Sequence, residues 1–178
     1  LELPTAISGM HELIDLDLHG NRIELNDRST SILAGLNKLQ SLNLVGNTLG
    51  RRISVRRMTG LVHLRLRYTG LQTWPEGVEA LAGLQTLDLR DNAIVALPDG
   101  FYTMPRERLA GTRLHDNPLQ ASSAERVDEL RERLGLPREI RDHGAPVAQP
   151  VNNWLSIDLP APQRAARTQL WHALQASP

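Results

Sequence analysis

One short pattern, written five times, constrains this chain more than anything else in it. Leu84-Gln-Thr-Leu87-Asp-Leu89-Arg-Asp-Asn92-Ala-Ile94 reads L-x-x-L-x-L-x-x-N-x-I. The apolar residues at 87 and 89 alternate with polar ones, as a strand with one buried face requires. Asn92 then turns the chain, and Ile94 drops back inside. The pattern recurs at Leu13–Ile23, Leu39–Leu49, Leu61–Leu71 and Leu109–Leu119. Thr69 replaces the asparagine in the third copy, and Thr112 replaces the second apolar residue in the last. The first leucines fall at 13, 39, 61, 84 and 109, in steps of 26, 22, 23 and 25. A unit this short cannot bury its own apolar side, so neighbouring copies must stack on one another.

A period of about 20–29 residues with this strand-and-turn signature defines leucine-rich repeats. The expected fold is therefore α/β: a leucine-rich repeat solenoid with a parallel β-sheet on its concave face and short helices or turns on its convex face. Residues 1–119 form the repeats, with Leu1–Met10 read as the back half of a truncated first one, so a longer parent chain is expected. Residues 120–136 read as a C-terminal capping helix. Ser122 and Glu125 are spaced as a capping box, Val127, Leu130 and Leu134 form one stripe, and Gly135 ends it. Residues 137–153, with Pro137, Gly144, Pro146 and Pro150, read as a linker. Residues 154–178 read as the start of a second, helical module with a stripe at Ala166, Leu170 and Leu174.

Within the connections, Asp27–Ala34 is the best helical segment, with Ile32 and Leu33 inward. Trp74-Pro75-Glu-Gly-Val78 and Leu97-Pro98-Asp-Gly-Phe101 match position by position. Each sets an apolar residue before proline, which favours extended backbone there, and another three residues later. Trp74 accordingly reads as a core residue. The Asn21, Asn47, Asn92 and Asn117 column reads as structural, each amide satisfying backbone groups of an adjacent repeat. Thr69 can make only part of that ladder, so the third repeat is expected to be irregular.

Charge and composition narrow the function. Lys+Arg and Asp+Glu are 20 each, so no global attraction to nucleic acid or an anionic membrane follows. There is no cysteine, hence no disulfide framework and no thiolate nucleophile, and a reducing compartment is favoured. The sequence contains no signal-peptide pattern and no apolar run long enough to span a bilayer. No cofactor, small-molecule substrate or catalytic residue can be assigned.

The outward strand positions make the candidate site. They are Asp15, Asp17 and His19, then Ser41, Asn43 and Val45, then His63, Arg65 and Arg67, then Thr86, Asp88 and Arg90, then Gly111, Arg113 and His115. With strands about 4.8 Å apart, these columns form one surface, acidic at the first repeats and basic at the later ones. Arginine forks onto carboxylates, so a protein partner with a matching charge gradient is the expectation. An ordinary solvated sheet face is the alternative. Asp15, Asp17, His19 and His63 lack a spacing that demands a metal. Arg51, Arg52, Arg56 and Arg57 form a second basic cluster, but without interleaved aromatics it reads as a solvated loop rather than a nucleic-acid site.

Three stretches of the repeats carry a family resemblance: Asn47 to Gly50, Thr69-Gly-Leu-Gln-Thr-Trp-Pro75-x-Gly77, and Gly111-x-x-Leu114-x-x-Asn117-Pro-Leu119. They resemble the repeats of bacterial effectors that carry a C-terminal novel E3 ubiquitin ligase domain, the IpaH-type and dermonecrotic-toxin-like proteins. The tail, Trp154-Leu155 with Arg164-Ala-Ala-Arg167-x-x-Leu170-Trp171-x-x-Leu174, is similar to the opening helix of that ligase domain. The resemblance implies a substrate-binding and autoinhibitory region. It implies a host or bacterial protein substrate, and a ubiquitin-loaded E2 engaged by the rest of the parent. It also implies secretion into the host cytoplasm, the bacterial cytoplasm being the alternative. The ligase cysteine is absent from these residues, and steps of 22 to 26 are less regular than the family's compact repeats. The rival expectation is a non-catalytic bacterial repeat module that binds a protein.

Overall fold

The computed structural model describes residue 3 and residues 5–50 and 52–138. The linker and helical-module expectations therefore fall, but for Pro137 and Arg138, outside the described residues.

Each repeat contributes one short strand, as the alternation of leucines dictates. Strands β1 (Asp15–Asp17), β2 (Ser41–Asn43), β3 (His63–Arg65), β4 (Thr86–Asp88) and β5 (Thr112–Arg113) pair in chain order into one parallel five-stranded sheet. The register places Leu16, Leu42, Leu64, Leu87 and Thr112 in one row. Leu42, Leu64 and Leu87 are buried and Leu16, on the first strand, is half-buried. The Thr112 side chain is buried too, and its hydroxyl donates to the Arg108 carbonyl at 2.8 Å. A hydroxyl is tolerated inside only when it is satisfied in this way.

The connections supply the other wall of the core. Helix α1 (Asp27–Ala34) follows the sequence expectation to the residue, with Leu33 buried and Ile32 half-buried. Its start is set by Asn26, whose side-chain oxygen accepts from the Ser29 N–H at 2.8 Å. In later repeats the two proline phrases give a 3₁₀ turn at Val78–Ala80 and the short helix α2 (Asp99–Tyr102). Val78 and Phe101 are both fully enclosed, as their matched positions require. Trp74 is a core residue, its ring meeting Phe101 edge-on at 5.3 Å. Its indole nitrogen is buried with no hydrogen-bond partner.

Helix α3 (Arg106–Ala110) leads into β5, and α4 (Ala121–Arg133) follows the last repeat. Val127 and Leu130 of α4 join the continuous core, and Leu134 packs against it partly buried. Arg131 is buried as well, and its guanidinium donates to the carbonyls of Leu109 at 3.1 Å and Pro137 at 2.8 Å. The capping-box expectation is corrected here. The N-cap is Gln120, with no side-chain cap bond, and Ser122 lies in the first helical turn. The Gln120 N–H is already committed to the Val95 carbonyl, so the helix starts directly from the repeat backbone. Gly135 adopts φ +64°, the left-handed geometry that ends a helix.

Candidate partner-binding face

The turn after each strand is what fixes the outward side chains. In all five repeats the residue before the asparagine (or Thr69) adopts positive φ: Gly20, Gly46, Tyr68, Asp91 and Asp116. The asparagine amides then lock adjacent repeats. Asn47 Oδ1 accepts from the Asn21 and Ile23 N–H groups, while Nδ2 donates to the Leu18 and Leu44 carbonyls. Asn92 does the same toward the third repeat, accepting from Thr69 and Leu71 and donating to Leu66 and Leu89. Thr69 cannot reach so far. Its hydroxyl donates to Leu66 in its own repeat, and the Leu49 N–H is satisfied by the Thr69 backbone carbonyl instead.

On this frame the outward residues fall into rows. Asp15, Ser41, His63 and Thr86 align, as do Asp17, Asn43, Arg65, Asp88 and Arg113. His19, Val45, Arg67, Arg90 and His115 follow at the strand ends, where their turns are tied carbonyl to N–H across repeats. Every sequence-derived candidate therefore lies on one sheet face or its margin.

The structure sorts them by how they are held. At the first repeats Asp17 accepts from the His19 backbone N–H and contacts the His19 ring nitrogen, both at 3.0 Å, and takes a bond from the Asn43 amide at 3.1 Å. Partial burial raises the Asp17 carboxyl, but these bonds outweigh it and hold it below its ordinary value. His63 Nδ1 lies 3.2 Å from the Thr86 hydroxyl. At the later repeats Arg90 forks onto Asp88, Nε to Oδ1 at 2.8 Å and Nη2 to Oδ2 at 2.6 Å. Arg67 Nε donates to Asp91 at 2.6 Å. Burial would raise the Asp88 carboxyl, yet the bonds and charge of Arg90, with the Arg67 charge behind them, keep it low.

Two expectations change in consequence. Asp88 is only 7% exposed, so it serves as the seat of Arg90 rather than as a contact of its own. Arg67 and Arg90 are half-buried ion-pair members, not loose cations. Arg65 and Arg113 are exposed and have no ion-pair partner among the described residues. Gly111 marks a close approach: a Cβ there would sit 1.7 Å from the Gln85 carbonyl oxygen. His115 Nε2 stands 3.8 Å from Asp116. No group of three or more His, Asp or Glu side chains arranged for a metal occurs among the described residues. In the second basic cluster Arg56 pairs with Glu76 at 2.8 Å. Sequence reasoning passed over Tyr68 and Asp91, although the column of Gly, Gly, Tyr, Asp, Asp before the turn could have flagged both.

No family model matches the sequence, and no curated protein is significantly similar to it. Among solved structures the fold is similar to that of a leucine-rich repeat protein of Leptospira interrogans, with a TM-score of 0.52 at 22% identity. The match covers 72% of this chain and 38% of that one, so this chain spans well under half of that protein's length. That likeness establishes the leucine-rich repeat fold. No described helix is long and apolar enough to cross a membrane.

Proposed function

We propose that this chain is a protein-recognition module that binds through the outward face of its five-stranded sheet. The observation that carries it is the row Asp17, Asn43, Arg65 and Arg113, presented along one sheet face, with His19 bracing Asp17 and Arg90 seated on the buried Asp88 between the two arginines. Side chains fixed before binding lose little entropy on binding, and their order along the row gives specificity. Helix α4 acts as the cap, shielding the last repeat with Val127 and Leu130 while Arg131 ties it down. Within this reading, the resemblance to IpaH-type effectors supports a finer one: the substrate-selecting and autoinhibitory region of a secreted bacterial E3 ubiquitin ligase. The parent protein incubated with ubiquitin, E1 and E2 tests that. Ubiquitin chains and a reducible ubiquitin adduct, both lost on mutation of a cysteine, are the expected result. If neither forms even after deletion of the repeats, the ligase reading fails and the non-catalytic binding module stands. The face itself is tested by Arg65→Glu with Arg113→Glu: binding of an identified partner should be lost with the fold intact.

A further inference from the structure

Tyr68 is the one residue of the turn row that the fold does not explain. At its position the first two repeats use glycine and the last two use aspartate, residues that accept positive φ. Tyr68 holds φ +56° with a bulky ring, a backbone state that aromatic residues rarely adopt. Strain of this kind persists where the surrounding structure or a function demands it. The surroundings gain nothing from the ring. Tyr68 is 42% exposed, and only its backbone N–H is engaged, with the Arg90 carbonyl at 3.1 Å. Trp74, Phe101 and Tyr102 make the ring–ring contacts of the described residues, and Tyr68 makes none. The preceding residue in its row is Gly46, which has no side chain to cover it.

Two carboxylates lie near Tyr68, Asp91 next in its row and Asp88 between Arg65 and Arg113. Arg67 and Arg90 neutralise them, so Arg65 and Arg113 leave a net positive charge. Arg67 precedes Tyr68, Arg65 begins the approach two residues earlier, and Arg113 lies two strands away, about 10 Å. Exposed tyrosine beside arginine is the composition of binding hot spots. We propose that Tyr68, with Arg65 and Arg113, anchors an acidic segment of a protein partner, the ring packing on its apolar part and the two guanidiniums taking its carboxylates. This deepens the protein-binding reading and rests on it. A protein segment fits better than a nucleic acid because Asp15 and Asp17 on the same sheet would repel a phosphate backbone that continued along it.

A library of randomised extended peptides of about six to ten residues, enough to cross five strands, probes this directly on the whole chain. Peptides retained should be enriched in Asp and Glu. Tyr68→Gly and Tyr68→Asn should each weaken the selected peptides about tenfold or more while leaving the thermal midpoint unchanged or raised by a few degrees. Loss of binding without loss of stability separates an anchor from a structural tyrosine. The proposal is overturned if nothing acidic is retained, if both variants bind normally, if both melt earlier, or if single-stranded oligonucleotide displaces the peptides as well as acidic peptide does. Binding that ignores Tyr68 but fails with Asp15→Lys and Asp17→Lys would overturn this anchor and leave the protein-binding face intact.

Discussion

The third and fourth repeats share the central leucine of their strands, His63-Leu-Arg and Thr86-Leu-Asp, but end in very different turns. In the fourth, Asp91 tolerates positive φ, pairs with Arg67, and leads into Asn92, whose amide serves two repeats at once. In the third, Tyr68 is strained and the Thr69 hydroxyl reaches only its own repeat and the Asn92 side chain. The third turn is thus held from outside, by its successor. Stability at one repeat of a solenoid can be lent by the next, and the borrower is then free to carry a residue chosen for something other than folding.

That dependence can be broken in steps. The largest effect is expected from Asn92→Ala, which strips the Thr69 and Leu71 N–H groups of their acceptor and leaves the Leu66 and Leu89 carbonyls with one donor each, from Thr69 and Asn117. A loss of about 3 kcal/mol in urea unfolding is expected, since two inward N–H groups go unsatisfied together. Next comes Asp88→Asn, which leaves Arg90 without its carboxylate and should cost about 2 kcal/mol. The same pair predicts the pH response. Asp88 is held below its usual pKa, so its contribution is full above about pH 4 and is lost as pH falls through the lowered value. A thermal midpoint that drops only in that acidic range, and does not drop so in Asp88→Asn, is the expected record. Thr69→Ala should cost about 1 kcal/mol, one hydroxyl bond, against the threefold larger cost at Asn92. Equal costs at 69 and 92 would remove the asymmetry between the two turns. The smallest effect is a gain: Tyr68→Gly should stabilise by at most about 1 kcal/mol, because glycine's freer unfolded state offsets part of the relieved strain.

Much of this was visible in the leucines. Period-two alternation and the recurrent asparagine set the strand centres, and with them the rows of outward side chains from Asp15 to His115. The proline phrases announced Val78, Phe101 and the burial of Trp74. What sequence did not disclose was how the outward residues spend their charge. Whether Arg90 forks onto Asp88 in its own repeat or reaches a partner depends on side-chain length and rotamer, which spacing does not encode. Arg67 finds Asp91 only because the next turn swings that carboxylate back. The start of α4 was misplaced at Ser122 for a related reason: the Gln120 backbone is fixed by Val95 of the previous connection, so no side-chain cap was needed to begin it.

The five copies begin at unequal intervals, from 22 to 26 residues, yet every strand enters the sheet in the same register. Length variation is absorbed by the connections, and the asparagine clamp resets the chain before the next strand. Insertions behind the sheet therefore leave the outward alphabet unshifted, and single outward letters can be rewritten without disturbing the leucines beneath them. Such a surface can drift quickly toward new partners while its scaffold stays under strict selection, so related chains should diverge first at positions such as 65, 67, 68 and 113.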